Sequence, residues 1–210
     1  MITLPTEPSP ESLRLNARHA VAITQSPYTG HSQAHAHPGR WWELEISLGE
    51  MHRDWAEAWI AAFIQLAAGE TFVWGPRAVT DVDFAPPRGS ITAVTISADT
   101  PTNAGVLYID DGDFSPDGSS GGGISNWAIG DYLGIGGTLQ KVLGPPTWNG
   151  SESRYELPVF PGLRTALSVD TAAELDNPTA TFRLTAPAID FFHHHYYGQD
   201  PITMAAVEAF

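Results

Sequence analysis

The stretch from Ser47 to Gly69 reads SLGEMHRDWAEAWIAAFIQLAAG and carries the strongest helical pattern in the chain. Its apolar residues recur at the three- and four-residue spacing of one helix face: Met51, Trp55, Trp59, Ala62, Phe63 and Leu66. Ser47 and Glu50 have the spacing of a capping box, which predicts the start of the helix. Gly69 stands where a left-handed C-terminal cap belongs.

The second half of this predicted helix is apolar nearly all round. Beyond Ala58 the polar face almost disappears, so this half must be covered on most sides. No other segment has comparable helical strength, which predicts one principal α-helix in a chain otherwise made of strands. Such a helix packs across a sheet or lies between neighbouring subunits, and the function depends on which of these it does.

The composition favours short strands and turns. The chain has 210 residues, with 20 glycines and 17 prolines, and charged residues make up only 16% of it. Its net charge of −14, with a single lysine and nine arginines, argues against a nucleic-acid-binding surface.

The sequence predicts no membrane-spanning segment, no signal peptide and no disulfide bond. No apolar run approaches the length of about 20 residues that spans a bilayer. The proline-rich stretch from Met1 to Pro10 does not have the order of regions found in a signal peptide. The chain has no cysteine, so no disulfide is possible, and we expect synthesis in the cytosol.

The clearest strand is Arg40–Ile46, in which Trp42, Leu44 and Ile46 alternate with polar neighbours. We predict that His31–Gly39 before it is a connection or an edge, and that the first twelve residues form an extended arm or a loose tail. The other predicted strands are Val21–Thr24, Thr71–Trp74, Ile91–Ala98, Val106–Ile109, a hairpin over Asp131–Leu143 turning at Gly136–Gly137, Arg154–Val159 and Ala180–Leu184.

A compositional break at Phe84–Gly89, with two prolines and a glycine, predicts a linker. We therefore divide the chain into a first part over residues 1–85, an inserted segment over 86–184, and a C-terminal segment over 185–210 that returns to the first part. The strands of the inserted segment predict a small barrel or sandwich of ordinary domain size.

Histidines suggest one candidate site. His35 and His37 could point to one face of a strand, and His31, His193, His194 and His195 are further candidates. Consecutive histidines in a strand point to opposite faces, and a zinc site needs a third ligand and a supporting shell that the sequence does not fix. We therefore predict no metal and no other cofactor, and interpret the histidines as a polar surface or interface cluster.

Two further patterns have ordinary interpretations. Asp110–Gly118 resembles a calcium loop, but Pro116 replaces the required glycine and Gly122 the bidentate glutamate, so we interpret it as a solvated turn. Trp127 and Trp148 could stack on sugars from a barrel surface, although aromatic residues in barrels are more often core.

Four groups of phrases follow one another along residues 20–184. They are Ser26–Gln33 with Gly39–Trp42; the helix bearing Trp55, Trp59, Phe63 and Leu66, with Gly69 and Phe72; Gly130–Ile135, Leu139–Val142 and Leu157–Arg164; and Phe182–Leu184. Together these phrases resemble the distal tail proteins of long-tailed (siphovirus-like) bacteriophages and gene transfer agents. The chain departs from the family pattern at Pro145–Pro146, and the histidine-rich segment after Leu184 has no counterpart in it.

The resemblance implies a mainly β fold: a β-sandwich belt domain with one principal helix, plus an inserted barrel of oligosaccharide-binding or galectin-like type. It implies a non-enzymatic virion protein that forms a homo-hexameric ring at the tail tip. The implied partners are the tail tube protein, the tape measure protein, and hub, tail fibre or receptor-binding proteins, without stable nucleic-acid or membrane binding. The subunit-interface candidates are Trp41, Trp55, Trp59, Phe63 and Leu66. The alternative is a carbohydrate-binding module that contacts host surface glycans.

Overall fold

The computed structural model describes residues 1–76, 94–110, 127–152, 154–186, 193–194, 198–199 and 201–209. Within these residues the fold is mainly β with one α-helix, as predicted. No helix in this part of the chain is long and apolar enough to cross a membrane. The elements in chain order are β1 (Ser12–Gln25), β2 (Ser32–Leu48), α1 (Arg53–Ala67), β3 (Thr71–Trp74), β4 (Thr95–Ile96), β5 (Val106–Asp110), β6 (Tyr132–Ile135), β7 (Thr138–Val142), β8 (Thr147–Asn149), β9 (Arg154–Phe160), β10 (Ala180–Leu184), β11 (His193–His194), β12 (Gly198–Gln199) and β13 (Ile202–Glu208).

The first sheet has the strand order β1-β2-β13-β10-β3, and each neighbouring pair is antiparallel. The predicted alternation in β2 is confirmed, because Trp42, Leu44 and Ile46 are buried while the residues between them are partly exposed. Helix α1 covers this buried face with Ala56, Trp59, Ile60, Phe63 and Leu66, which share one apolar core with the sheet.

The start of α1 differs from the prediction. The helix begins at Arg53 with His52 as its N-cap, whereas Ser47 lies in β2 and contacts the Thr203 hydroxyl at 3.2 Å. The predicted capping box is wrong because β13 pairs with β2 along its whole C-terminal part, which holds Ser47 extended. The C-terminal prediction is confirmed, since Gly69 has a φ of 99° and donates its N–H to the Leu66 carbonyl.

The N-terminal residues form an extended arm packed on the first core, and not a loose tail. The Ile2 N–H donates to the Thr71 carbonyl at 2.7 Å, and Ile2 and Leu4 pack against the core. The Glu7 carbonyl accepts a hydrogen bond from the Trp59 indole at 3.2 Å. This segment, residues 1–10, is called the N-terminal strap below.

The second sheet has the order β4-β5-β9-β7-β6, with β8 paired to β9, and it encloses a separate apolar core. All its strands lie between β3 and β10 in the chain. The predicted hairpin is β6–β7, and Gly136 and Gly137 adopt positive φ angles at its turn, as the sequence predicts. Of the predicted strand Ile91–Ala98, only β4 is a strand within the described residues. The predicted linker at 84–89 and the turn after Asp110 lie outside those residues.

Strand β10 requires a correction, because the sequence analysis places Ala180–Leu184 in the inserted segment. In the structure this strand lies in the first sheet, between β3 and β13. The physical reason is the side chain of Phe182, which is fully buried in the first core and stacks on Phe72 with ring centroids 5.9 Å apart.

Trp42 joins the two sheets. Its indole N–H donates to the Leu139 carbonyl of β7 at 2.9 Å, and its ring meets Phe160 of β9 edge-on with centroids 4.8 Å apart. Leu139 and Phe160 are thereby part of the first apolar core, although their strands belong to the second sheet.

Candidate assembly surface

Strands β1 and β2 continue beyond the first sheet as a two-stranded ribbon. The pairing of β2 with β13 ends at Glu43, whereas its pairing with β1 continues to Gln25 and Ser32. Among the described strands, only β1 pairs with the part of β2 before Glu43. We call residues 17–41 the hairpin arm. At about 3.3 Å per residue, its tip lies roughly 35 Å beyond the last pairing with β13.

The sequence analysis recognised only a small part of the hairpin arm. It predicts a short strand over Val21–Thr24 and a connection or edge over His31–Gly39. In the structure residues 32–36 of the latter segment pair with β1, and a register shift lies between these pairs and the pairing of Arg40 with His19. A turn follows Ser26 at the tip of the arm, and Gly30 closes it with a φ of 70°.

The outer half of the hairpin arm has two chemically different faces. Residues directly opposite each other in an antiparallel pair point to the same side. Val21 pairs with Ala36, and Ile23 with Ala34, which makes one face apolar. The other face carries Ala22 and the polar residues Thr24, Gln33 and His35.

No part of the described chain covers the apolar face of the hairpin arm. Ile23 is 73% exposed and Tyr28, at the tip, 95% exposed, and Val21 is exposed as well. Both strands of the ribbon are exposed along most of its length. An amphipathic ribbon with an uncovered apolar face is typical of a segment that binds another protein surface.

Most of the predicted subunit-interface residues are not on the surface. Trp59 is 2% exposed, and Phe63 and Leu66 are buried with it in the chain's own core. Their assignment to a subunit interface is therefore wrong, because the first sheet and the N-terminal strap already cover them. Trp41 is partly buried beside Glu43, and Trp55 is 52% exposed, so only these two candidates can reach a neighbour.

The outer side of α1 carries an exposed apolar line at three-residue spacing, formed by Trp55, Ala58, Ala61 and Ile64. Ile64 is more than half exposed, and the sequence analysis did not single it out. The side chains of Asp54 and Glu57 are exposed on the same helix. The sequence signal for this line is its own three-residue apolar spacing, which is weaker than the spacing of the buried face.

The two sugar-stacking candidates differ in how far their side chains are exposed. Trp127 is 5% exposed and lies in the second core, so it cannot stack on a sugar, and that assignment is wrong. Trp148 is 43% exposed and packs on Tyr155 with ring centroids 4.7 Å apart.

The histidines occupy two places. His35 and His37 lie on β2 in the hairpin arm with ring centroids 4.9 Å apart, and His31 borders the turn. His193 and His194 form β11, which pairs with β12, and His195 lies outside the described residues. Within those residues, no three histidine, aspartate or glutamate side chains are placed to hold a metal ion.

A buried carboxylate lies where the two sheets meet. Glu208 is almost fully buried, and its Oε2 accepts the backbone N–H of Trp42 at 3.2 Å and lies 3.5 Å from the Arg164 guanidinium. Its Oε1 has no hydrogen-bond partner in the described part of the chain. Burial raises the pKa of Glu208, and the Trp42 N–H and Arg164 only partly oppose this effect.

This raised pKa predicts that stability falls as the pH rises. The folded state holds the Glu208 proton more tightly than the unfolded state, so deprotonation favours unfolding above the ordinary pKa of a glutamate. The contribution to the slope is at most about 1.4 kcal/mol per pH unit. We expect Glu208→Gln to flatten the pH dependence of the free energy of unfolding, measured by urea denaturation in steps between about pH 5 and pH 8.

The exposed Glu50 provides the control for this measurement, because Glu50→Gln removes a carboxylate without removing a buried one. The wild-type slope should persist in Glu50→Gln. Equal slopes in Glu208→Gln and the wild type would contradict the assignment.

No protein-family model matches the chain, and no curated protein matches it. Among the described residues, the hairpin arm and the outer side of α1 each carry large exposed apolar side chains along one element. Exposed apolar side chains of this kind are typical of a surface that contacts another macromolecule.

Proposed function

We propose that this chain is a non-enzymatic structural virion protein. In this proposal it is the distal tail subunit of a long-tailed bacteriophage or gene transfer agent, located in the virion at the tail tip. Copies form a hexameric ring that joins the tail tube to the hub or baseplate. The observation that carries the proposal is the hairpin arm with its uncovered apolar face.

An arm of this kind favours assembly for a physical reason. A two-stranded ribbon is marginally stable in water by itself, and this one also exposes Val21, Ile23 and Tyr28. A neighbouring subunit that covers the apolar face would supply the missing burial. When the arm contacts a different surface of the next copy, the contact is head-to-tail, and such contacts form a ring when the rotation between successive copies closes.

The resemblance to distal tail proteins supports the same function. Its first phrase, Ser26–Gln33, forms the tip of the hairpin arm, the segment that extends farthest from the first sheet. In this proposal the first sheet with α1 is the β-sandwich belt domain. The strands between β3 and β10 are the inserted barrel, of oligosaccharide-binding or galectin-like type. The tail tube, tape measure, and hub or receptor-binding proteins are the other proposed partners.

The test removes the apolar surface of the hairpin arm without changing its strand pairing. In the triple variant Val21→Thr, Ile23→Thr and Tyr28→Ser, the two strand positions keep β-branched side chains. We expect purified wild-type protein to form rings in negative-stain images and a hexamer by mass photometry. The variant should associate at least tenfold more weakly, because buried apolar and aromatic anchors dominate interface energies.

Two measurements complete the test. The stability of the variant should stay within about 0.5 kcal/mol of wild type, since the replaced side chains are exposed in the single chain. The control is Ile129→Thr with Val169→Thr, two exposed positions outside the arm, which should leave the rings intact. A wild-type protein that stays monomeric at micromolar concentration, or a triple variant that still forms rings, would overturn the proposal.

A carbohydrate-binding function has one specific observation in its favour. Trp148 is exposed on β8, and the amide of the adjacent Asn149 donates to Glu156 at 2.8 Å, so a stacking surface lies beside hydrogen-bonding groups. Glycan-array binding by a monomeric protein, lost in Trp148→Ala, would favour this function over the structural one.

A further inference from the structure

We infer that a cavity under the N-terminal strap binds a small, neutral and mostly apolar molecule that carries one carbonyl group. The cavity has a volume of about 190 Å³. One side of its wall is formed by the strap, and the other side includes Ile46 of β2, Trp59 of α1 and Trp74 of β3. The inference concerns the single chain and goes beyond the proposed ring function.

The path of the strap leaves this space. At one end the Ile2 N–H donates to the Thr71 carbonyl of β3, and just beyond the other end the Glu11 N–H donates to the Ser47 carbonyl of β2. Strands β13 and β10 lie between β2 and β3, so the chain crosses the first sheet between these two bonds. Three of the ten strap residues are prolines, which have no N–H to donate. The strap is therefore fastened at both ends and bridges the cavity between them.

The wall of the cavity limits the ligand to a neutral molecule. The wall is chiefly apolar, its polar side chains besides the two indoles are hydroxyls of the strap, and none of the residues that line it is charged. A charged group buried there without a partner would be costly, which excludes phosphates, carboxylates and ammonium compounds. An apolar cavity of about 150 Å³ in another protein binds benzene, so this one suits a molecule of roughly seven to nine non-hydrogen atoms.

The indole of Trp74 decides which polar group the ligand carries. Trp74 is 4% exposed, and its Nε1 has no hydrogen-bond partner in the described part of the chain. The other indole of the wall, that of Trp59, already donates to the Glu7 carbonyl at 3.2 Å. A buried donor without an acceptor is unfavourable, and a ligand that brings an acceptor relieves this. Because an indole only donates, the matching group is an acceptor such as the carbonyl oxygen of a ketone, ester or amide.

Two probes of the same shape test the inference. Cyclohexanone has a carbonyl oxygen where methylenecyclohexane has a CH₂ group. Their dissociation constants are measured by ligand-observed NMR titration with the wild-type protein and with Trp74→Phe, which keeps an aromatic ring but removes the N–H. We expect both probes to bind the wild type. Trp74→Phe should weaken cyclohexanone about fivefold, the effect of one hydrogen bond, and methylenecyclohexane by less than about twofold.

Trp127→Phe is the matched control. Trp127 is also a buried tryptophan whose Nε1 has no partner in the described residues, but it lies in the second core. Its replacement should leave the affinities for both probes unchanged. A second variant, Leu4→Trp, fills the cavity from the strap and should weaken both probes roughly tenfold or more.

Three results would overturn the inference. The first is no binding of either probe to the wild type at millimolar concentration, which would mean that the cavity holds only water. The second is an equal loss of affinity for the two probes in Trp74→Phe. The third is unchanged binding in a folded Leu4→Trp variant, which would place the bound probe elsewhere. None of these results bears on ring formation, which is measured separately.

Discussion

Replacement of Trp59 by alanine is expected to lower the free energy of unfolding by about 3–5 kcal/mol. Trp59 is 2% exposed, its ring lies 5.6 Å from Phe63, and its indole N–H donates to the Glu7 carbonyl. The substitution removes the apolar contacts that hold α1 on the first sheet, and it also removes the hydrogen bond that fixes the N-terminal strap. Urea denaturation followed by circular dichroism would measure the change.

Trp55 provides a matched control on the same helix. Trp55→Ala removes the same side chain from an exposed position, so its effect on the stability of the single chain should stay below about 1 kcal/mol. Similar losses in the two variants would contradict the placement of Trp59 in the core. The comparison also matters for assembly, because rings lost in Trp59 variants would reflect unfolding, whereas rings lost in Trp55→Ala would reflect the subunit contact.

Gly75→Ala is expected to destabilise the fold by about 2–3 kcal/mol, the cost of overpacking a rigid site. A Cβ at this position would collide with the backbone carbonyl oxygen of Pro178 and press on the Thr179 side chain. A backbone atom cannot move aside as the end of a flexible side chain can. Because Pro178 and Thr179 lead into β10, relief of the clash has to disturb the pairing of β10 with β3. Thermal and urea denaturation would both record the loss.

Gly150→Ala is the control for this prediction. A Cβ at Gly150 has only ordinary van der Waals contact with the Trp148 ring. Its effect should be within about 0.5 kcal/mol. Equal stability of the Gly75→Ala variant and the wild type would show that the Pro178 backbone can shift at little cost.

The parts of the fold that could be predicted from the sequence are those in which burial repeats along one element. The alternation of Trp42, Leu44 and Ile46 gave the buried face of β2 correctly, because the side-chain period of a strand is two. The glycine cap of α1 was also correct, since a positive φ is a local requirement. The start of α1 was not, because pairing with β13 holds Ser47 in a strand and overrides its local capping pattern.

The candidate site was harder to predict for two physical reasons. The apolar second half of α1 indicated cover on several sides, but the sequence cannot show that the chain's own N-terminal strap supplies part of it, as the bond from Trp59 to Glu7 does. The hairpin arm is exposed on both faces, so the parts of β1 and β2 that form it have mainly small and polar residues. Their apolar alternation is short, at Val21 and Ile23, and it predicts only a short strand. Trp127 illustrates the remaining ambiguity, because an isolated aromatic residue has no pattern that separates core from surface.

The position of Trp42 between the two sheets limits how the second sheet can be removed from the rest of the chain. Leu139 and Phe160 are buried against the first core, so excision of residues 94–175 as a free-standing module would open both side chains to water. The remaining scaffold would keep a tryptophan whose indole N–H has lost its carbonyl acceptor. Any sequence that replaces the second sheet must therefore also supply a backbone carbonyl for the Trp42 indole N–H and an aromatic side chain against the Trp42 ring.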